Sequence, residues 1–198
     1  WQPWVHMLSD KHCMNVQLGN ISTSVHGCSY YGPTEGKPYL EDARPDKESE
    51  YQILLGYTGD DNHMPADLTE LSEKGFDYIA LGYEHKASVM QSMHIAYAGS
   101  LEPLSVQETG KHGFILGEIN EDSTTIRFVP FACREYINIK VRLSSDITEE
   151  ELEEKLATAI NQYGSDNIFT ISLEGRYQPK EPYDRARLLA LGNVADVK

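Results

Sequence analysis

The sequence predicts a mixed α/β protein with a larger first part and a small βαβα unit at its end. Two patterns carry that expectation. The apolar runs YQILLG and FDYIALG flank a segment with helical spacing, which is the βαβ order, and from about Cys133 the chain reads strand, helix, strand, helix. A boundary between Phe131 and Arg134 then divides the 198 residues into 1–132 and 133–198.

The stretch from Gly32 to Glu50 holds three prolines, two glycines and many charges, so it reads as a long surface loop. YQILLG follows as a short strand buried on both faces, then a polar segment from Tyr57 to Pro65. Leu68 and Leu71 are spaced for a short helix over Asp67 to Lys74, with Gly75 as its stop, and FDYIALG from Phe76 to Gly82 is a second buried strand. HIAYAGS, HGFILGEI and TTIRFVPF read as strands, the last two joined by a hairpin turn at Asn120 to Ser123. Tyr136 to Leu143 alternates, with Ile137, Ile139, Val141 and Leu143 on one face, as a half-exposed strand does. Thr148 and Glu151 form a T-x-x-E capping box, and Ile147 with Leu152 a hydrophobic staple. Leu152, Leu156, Ala159, Ile160 and Tyr163 then line one helical face that Gly164 ends. IFTISLEG gives a strand, and Asp184 to Leu191 a final short helix.

Charge is uneven. The chain carries 17 Lys and Arg against 31 Asp and Glu for a net charge of -14, of which -12 lies in residues 1–126 and -2 in 127–198. That balance excludes a protein that grips nucleic acid over its whole surface, because phosphate neutralisation needs clustered cations. A local basic patch remains open. Arg134, Lys140, Arg142, Arg176, Lys180, Arg185 and Arg187 would make a modest basic face opposite the acidic helix, with ordinary solvated charge as the other reading. No run approaches the roughly 18 apolar residues of a membrane span. Cys13, Cys28 and Cys133 show no C-x-x-C spacing, which favours ordinary thiols and a cytoplasmic address. A chain opening on Trp1 reads as a fragment, a processed product or an engineered piece.

None of the seven histidines falls in H-E-x-x-H, and the common phosphate-loop, nucleophile-elbow and dinucleotide motifs do not occur. The stretch DYIALGYEHK, Asp77 to Lys86, ends an apolar strand at Gly82 and presents Tyr83, Glu84 and His85 on the next loop, a common position for sites in such sheets.

From Asp77 to Ile119 the sequence resembles SbcD-type DNA repair exonucleases, relatives of the meiotic recombination nuclease within the calcineurin-like metallophosphoesterases. The family reads approximately D-Y-x-A-L-G-H-x-H-K, then Y-P-G-S-x-E-P-L, then E-x-G-x-K-G-F. Here those segments are DYIALGYEHK, YAGSLEPL and ETGKHGF, in the same order. VHGCSYYG and YQILLGYTG resemble the preceding strand and the I-L-L-x-H segment, and the final unit resembles the family's DNA-end capping domain. The resemblance implies the later part of a four-layer αββα sandwich followed by that cap. It also implies metal-dependent phosphodiester hydrolysis, DNA and an SbcC-type ATPase as partners, a homodimer, and no membrane.

The family's site holds two divalent metals, usually manganese, which activate water and stabilise charge on the phosphate. By resemblance, His85 falls on a ligand of the first metal. Tyr57 and Tyr83 fall on two histidine ligands of the second, and are degenerate there. A phenol with a pKa of about 10 is a poor ligand beside neutral imidazole. Two readings stand: packing tyrosines where ligands sit in the family, or a changed metal such as ferric iron. The family's metal-binding D-x-H, its bridging aspartate and its G-N-H-D/E are all expected upstream of the matched stretch, and none of them within residues 1–198. The resemblance therefore implies either the later half of a nuclease or a catalytically silent scaffold that docks the ATPase or DNA.

Overall fold

A computed structural model of the chain describes residues 2–8, 12–32, 38–175 and 183–198. It is mixed α/β, with six-, three- and two-stranded sheets and few helices. The chain divides into two compact units, Trp1–Leu101 with Gly113–Pro130, and Glu102–His112 with Phe131–Lys198.

The first unit is built on a sheet of six strands: β1 (Met14–Leu18), β2 (Thr23–Gly27), β3 (Tyr51–Tyr57), β4 (Tyr78–Gly82), β5 (Ser88–Met90) and β6 (Ile95–Tyr97). Their order is β1-β2-β3-β4-β6-β5. Strands β2, β3, β4 and β6 run parallel, while β1 and β5 are antiparallel edges. The βαβ unit is present, with α1 (Leu68–Ser72) between β3 and β4. The Asp67 carboxylate caps α1 by accepting from the Thr69 and Glu70 amides at 2.8 and 3.2 Å.

One face of this sheet is the core. Leu54, Ile79, Leu81 and Ile95 point into a cluster closed by Leu40, Met64, Leu71 and Phe76. The expectation that YQILLG is buried on both faces is corrected. β3 alternates, as do its neighbours β2 and β4, leaving Val25, Ile53, Tyr78 and Ala80 half-buried and Leu55 exposed on the other side. A continuous apolar run cannot by itself tell a doubly covered strand from one whose second face is open.

Within the stretch expected as a surface loop, residues 38–50 are tied down more firmly than such a loop. A 3-10 turn at Tyr39–Asp42 buries Leu40 completely. A Cβ on Gly56 would lie 2.5 Å from the Leu40 side chain, so the glycine makes room for that leucine on β3. Behind it, buried Gln52 bonds His26 at 2.7 Å and Asp46 at 3.1 Å, anchoring the loop's end to β2 and β3. Desolvation alone would raise the Asp46 carboxyl, but hydrogen bonds from the Glu48 amide, the Gln52 amide group and Asn15 outweigh it and hold its pKa far below the usual carboxylate range.

Strands β7 (Gly113–Asn120) and β8 (Ser123–Pro130) form the expected hairpin, with Asn120 paired to Ser123. The Asn120 side-chain oxygen accepts from the Asp122 and Ser123 amides at 3.1 and 3.0 Å, which is what an Asx turn does.

In the second unit, β9 (Tyr136–Leu143), α2 (Glu149–Tyr163), β10 (Ile168–Gly175), α3 (Arg185–Leu189) and β11 (Val194–Val197) follow in order. The sheet is parallel, in the order β11-β10-β9. Both helices pack on one face, where Ile139, Leu152, Leu156, Ile160, Phe169, Ile171 and Leu188 form the core. The unit thus closes with a strand after its last helix, extending the βαβα expectation. The expected α2 face holds except at Tyr163, which is 55% exposed on the last turn.

The capping box is complete: Glu151 N–H donates to Thr148 Oγ1 at 3.2 Å and Thr148 N–H to Glu151 Oε2 at 3.0 Å. Thr148→Ala removes one of these bonds and is expected to cost about 1 kcal/mol, read from the urea midpoint. No change in the midpoint would show that the cap carries no net stability.

Candidate functional site

The parallel strands β2, β3 and β4 deliver three tyrosines to one end of the sheet. Tyr57 is the last residue of β3, Tyr83 the first after β4, and Tyr30 follows β2 by three positions. Tyr30 stacks on Tyr57 with ring centroids 4.5 Å apart, and Tyr57 meets Tyr83 edge to face at 5.6 Å. His63, from the turn after β3, lies 5.1 Å from Tyr83 and 5.7 Å from Tyr30.

Asp60 joins them. Its carboxylate pairs with His63 Nδ1 and accepts from the Tyr83 hydroxyl at 3.1 Å and from the Asn62 amide at 2.9 Å. These donors, His63 first, hold the Asp60 carboxyl below its ordinary pKa. The same bond raises the Tyr83 phenol, because donation to a carboxylate favours the protonated form. Tyr57 is raised chiefly by desolvation. The sign of each linkage follows. Raised phenols stabilise the fold below their unfolded pKa of about 10 and lose that as pH climbs through the folded value. The depressed carboxylate contributes above its unfolded pKa of about 4 and loses that contribution as pH falls through the folded value.

Tyr83 has a φ of 107°, outside the ordinary regions for a bulky side chain. Its ring rests on Gly59, where a Cβ would lie 2.5 Å from ring carbons. Backbone strain of this kind costs on the order of 1–3 kcal/mol and persists only where its surroundings hold it. The ring contact with Gly59 and the bond to Asp60 do that here. In Asp60→Asn the Tyr83 phenol is expected to ionise at lower pH, seen in an ultraviolet titration as one phenol moving to lower pH than in the parent chain and absent from a Tyr83→Phe background. An unchanged titration would separate Tyr83 from Asp60.

His85 is exposed on the loop after β4. Its carbonyl oxygen accepts from the Ser100 amide at 2.9 Å and the Ser100 hydroxyl at 3.3 Å. Gly99, at φ 76°, passes so close that a Cβ would lie 2.7 Å from Ala87 N and 2.8 Å from His85 O. The YAGSLEPL segment therefore buttresses the loop that DYIALGYEHK begins.

Sequence reasoning located Tyr57, Tyr83 and His85 but missed Tyr30, Asp60 and His63. The available signal was position, since all three follow the carboxyl ends of parallel strands. The expectation that no D-x-H lies within the chain is corrected, because Asp61, Asn62 and His63 spell that triplet. Here it forms a turn in which His63 pairs with Asp60.

Among the second unit's basic residues, Arg134 is exposed just before β9, and Lys140 and Arg142 project from the solvent face of β9. Glu174 lies opposite Arg142 in the sheet register. The expected basic face is corrected at two places. Arg187 bonds Glu149 and Glu153 of the acidic helix at 3.4 and 2.9 Å, and Arg185 bonds Asp196 at 2.6 Å. Arg176 and Lys180 lie outside the described residues.

A mixed α/β arrangement with its loop cluster at the strand ends is compatible with a metallophosphoesterase-like fold, and comparison with curated proteins supports that superfamily. The chain is 25% identical over 186 residues to the uncharacterized metallophosphoesterase YhaO of Bacillus subtilis (strain 168), covering 88% of this chain and 44% of that protein. It spans less than half the length of the relative it matches. No protein-family model matches it. No helix among the described residues is long and apolar enough to cross a membrane.

Metallophosphoesterases are hydrolases that use divalent metals in general, and the donors here can be tested against that need. No group of three or more His, Cys, Asp and Glu suited to a metal occurs among the described residues. Tyr57 and Tyr83 offer phenols whose pKa values are raised, and Asp60 and His63 are engaged with each other. This donor set does not fit a second divalent metal.

Proposed function

We propose that this chain is the later part of an SbcD-like DNA-processing protein, a cytoplasmic metal-dependent phosphodiesterase of the DNA exonuclease type. In this reading a phenol cluster stands at the second metal's ligand positions. The observation that supports it is the convergence of Tyr57 and Tyr83 beside one carboxylate at the strand ends, where the ordered motif resemblance puts two metal ligands. His85 is the retained ligand of the first metal, whose other ligands come from residues outside this chain. The second unit acts as the DNA-end cap, with Arg134, Lys140, Arg142 and Arg176 as contacts, and an SbcC-type ATPase is the partner.

Manganese binding and nuclease activity of the full-length parent protein, compared with His85→Ala, test this reading. Loss of both in the variant is expected. Absence of metal, with no difference between the two proteins, would overturn an active enzyme.

A second reading, a catalytically silent scaffold that docks DNA or the ATPase, is favoured by the way Tyr30, Tyr57, Tyr83 and His63 pack on one another. Self-packed rings have a structural role without a metal. On this reading Tyr57→His with Tyr83→His in the full-length protein gains nuclease activity that the parent lacks. A folded, metal-loaded double variant that stays inactive would place the loss deeper than these two positions.

A further inference from the structure

Cys13 and Cys28 have no part in the strand-end site. They flank the β1–β2 ladder: Met14 pairs with Gly27, so Cys13 immediately before β1 and Cys28 immediately after β2 are the next pair along the hairpin. The alternation of Asn15 and His26 puts both cysteines on the core side, where Cys28 is buried and Cys13 packs partly buried against the same cluster. The register makes the two thiols neighbours across the hairpin, and the Cys13 thiol donates to the Tyr39 carbonyl at 3.4 Å.

Their environments differ. Cys13 opens on a cleft of about 310 Å³ lined also by Asn15, His26, Asp42, Arg44 and Asp46, whereas Cys28 is covered. The Cys28 thiol favours the anion of Cys13 and lowers its pKa, with a smaller help from Lys74, while burial and Asp42 oppose it. Cys28 is raised correspondingly, first by the Cys13 sulfur beside it and then by burial. A partly exposed sulfur beside a covered thiol, at neighbouring positions of one hairpin, is the arrangement of an attacking and a resolving cysteine.

We propose that Cys13 and Cys28 are a redox modification site that takes a hydroperoxide and closes to a reversible cross-strand disulfide. The Cys13 thiolate sulfur attacks one peroxide oxygen, the O–O bond breaks, and the departing hydroxide takes a proton to become water. Cys13 is thereby oxidised to the sulfenic acid. The Cys28 sulfur then attacks Cys13 Sγ, the S–O bond breaks, and the hydroxyl leaves as water with the Cys28 proton. Two thiols and one hydroperoxide give one disulfide and two waters when the oxidant is hydrogen peroxide.

The test uses the full chain with its exposed third thiol removed by Cys133→Ser. Hydrogen peroxide is added, remaining thiols are alkylated, and peptides are mapped by mass spectrometry before and after dithiothreitol. A Cys13–Cys28 peptide that loses its link on reduction is expected, with no covalent dimer on a non-reducing gel. Cys28→Ser should abolish the link and leave Cys13 trapped as its dimedone adduct. Both cysteines recovered as thiols would overturn the proposal, as would a folded Cys28→Ser protein, judged by circular dichroism, with no adduct. In the chain with Cys133 intact, preferential linkage of Cys13 or Cys28 to Cys133 would overturn it too.

Discussion

Phe169→Ala is expected to destabilise the second unit by about 3–5 kcal/mol, the usual cost of truncating a fully buried phenylalanine. Phe169 has no exposed surface and sits on β10, the central strand, beneath both helices. Only part of the cavity can be refilled, because its walls are also strand residues, Ile139 and Ile171, held by backbone ladders. A single domain is stable by roughly 5–15 kcal/mol, so the loss is a large share of the total. Urea unfolding followed by far-ultraviolet circular dichroism measures it. A cost below about 1 kcal/mol would mean that the helices do not rest on this ring.

Gly27→Ala should cost about 3 kcal/mol in the first unit, at the upper end of overpacking penalties. An added Cβ would lie 2.0 Å from the Leu55 carbonyl oxygen and 3.1 Å from its carbon. A flexible side chain could swing away, but this obstacle is the backbone of β3, paired with β2 in register. Relief requires β2 and β3 to part at the end that leads to Tyr30 and Tyr57. The variant should therefore lose the tyrosine stacking together with stability, seen in near-ultraviolet circular dichroism. An unchanged melting temperature would show that this end of the sheet yields.

Much of the fold was legible because local signals agreed with tertiary structure. The T-x-x-E box, the Asn120 turn and the alternation of Tyr136–Leu143 each correspond to formed hydrogen bonds or a buried face. Less visible was β1, where Asn15 and Gln17 interrupt the apolar pattern. They belong there because they bond Asp46 and Glu48 of the long loop. β11 escaped as a four-residue edge after an expected terminal helix. Leu40 was hidden in a polar run, since its burial depends on the missing side chain of Gly56, sixteen positions on. At the site, Tyr57 and Tyr83 were found through motif positions. Asp60 and His63 were not, because what makes their local turn part of the site is its meeting with Tyr30 and Tyr83, which follow other strands. Arg187 shows the limit of charge counting: its partners, Glu149 and Glu153, lie on a helix more than thirty positions earlier.

The contact between Gly99-Ser100 and the backbone of His85 has a practical meaning for protein engineering. Two stretches that look like independent words, DYIALGYEHK and YAGSLEPL, are one mechanical part. Grafting the His85 loop onto another scaffold would fail if only the first stretch were moved. The transplant has to carry the glycine and serine that roof it, and recombination breakpoints between Lys86 and Gly99 should be the least tolerated in this part of the chain.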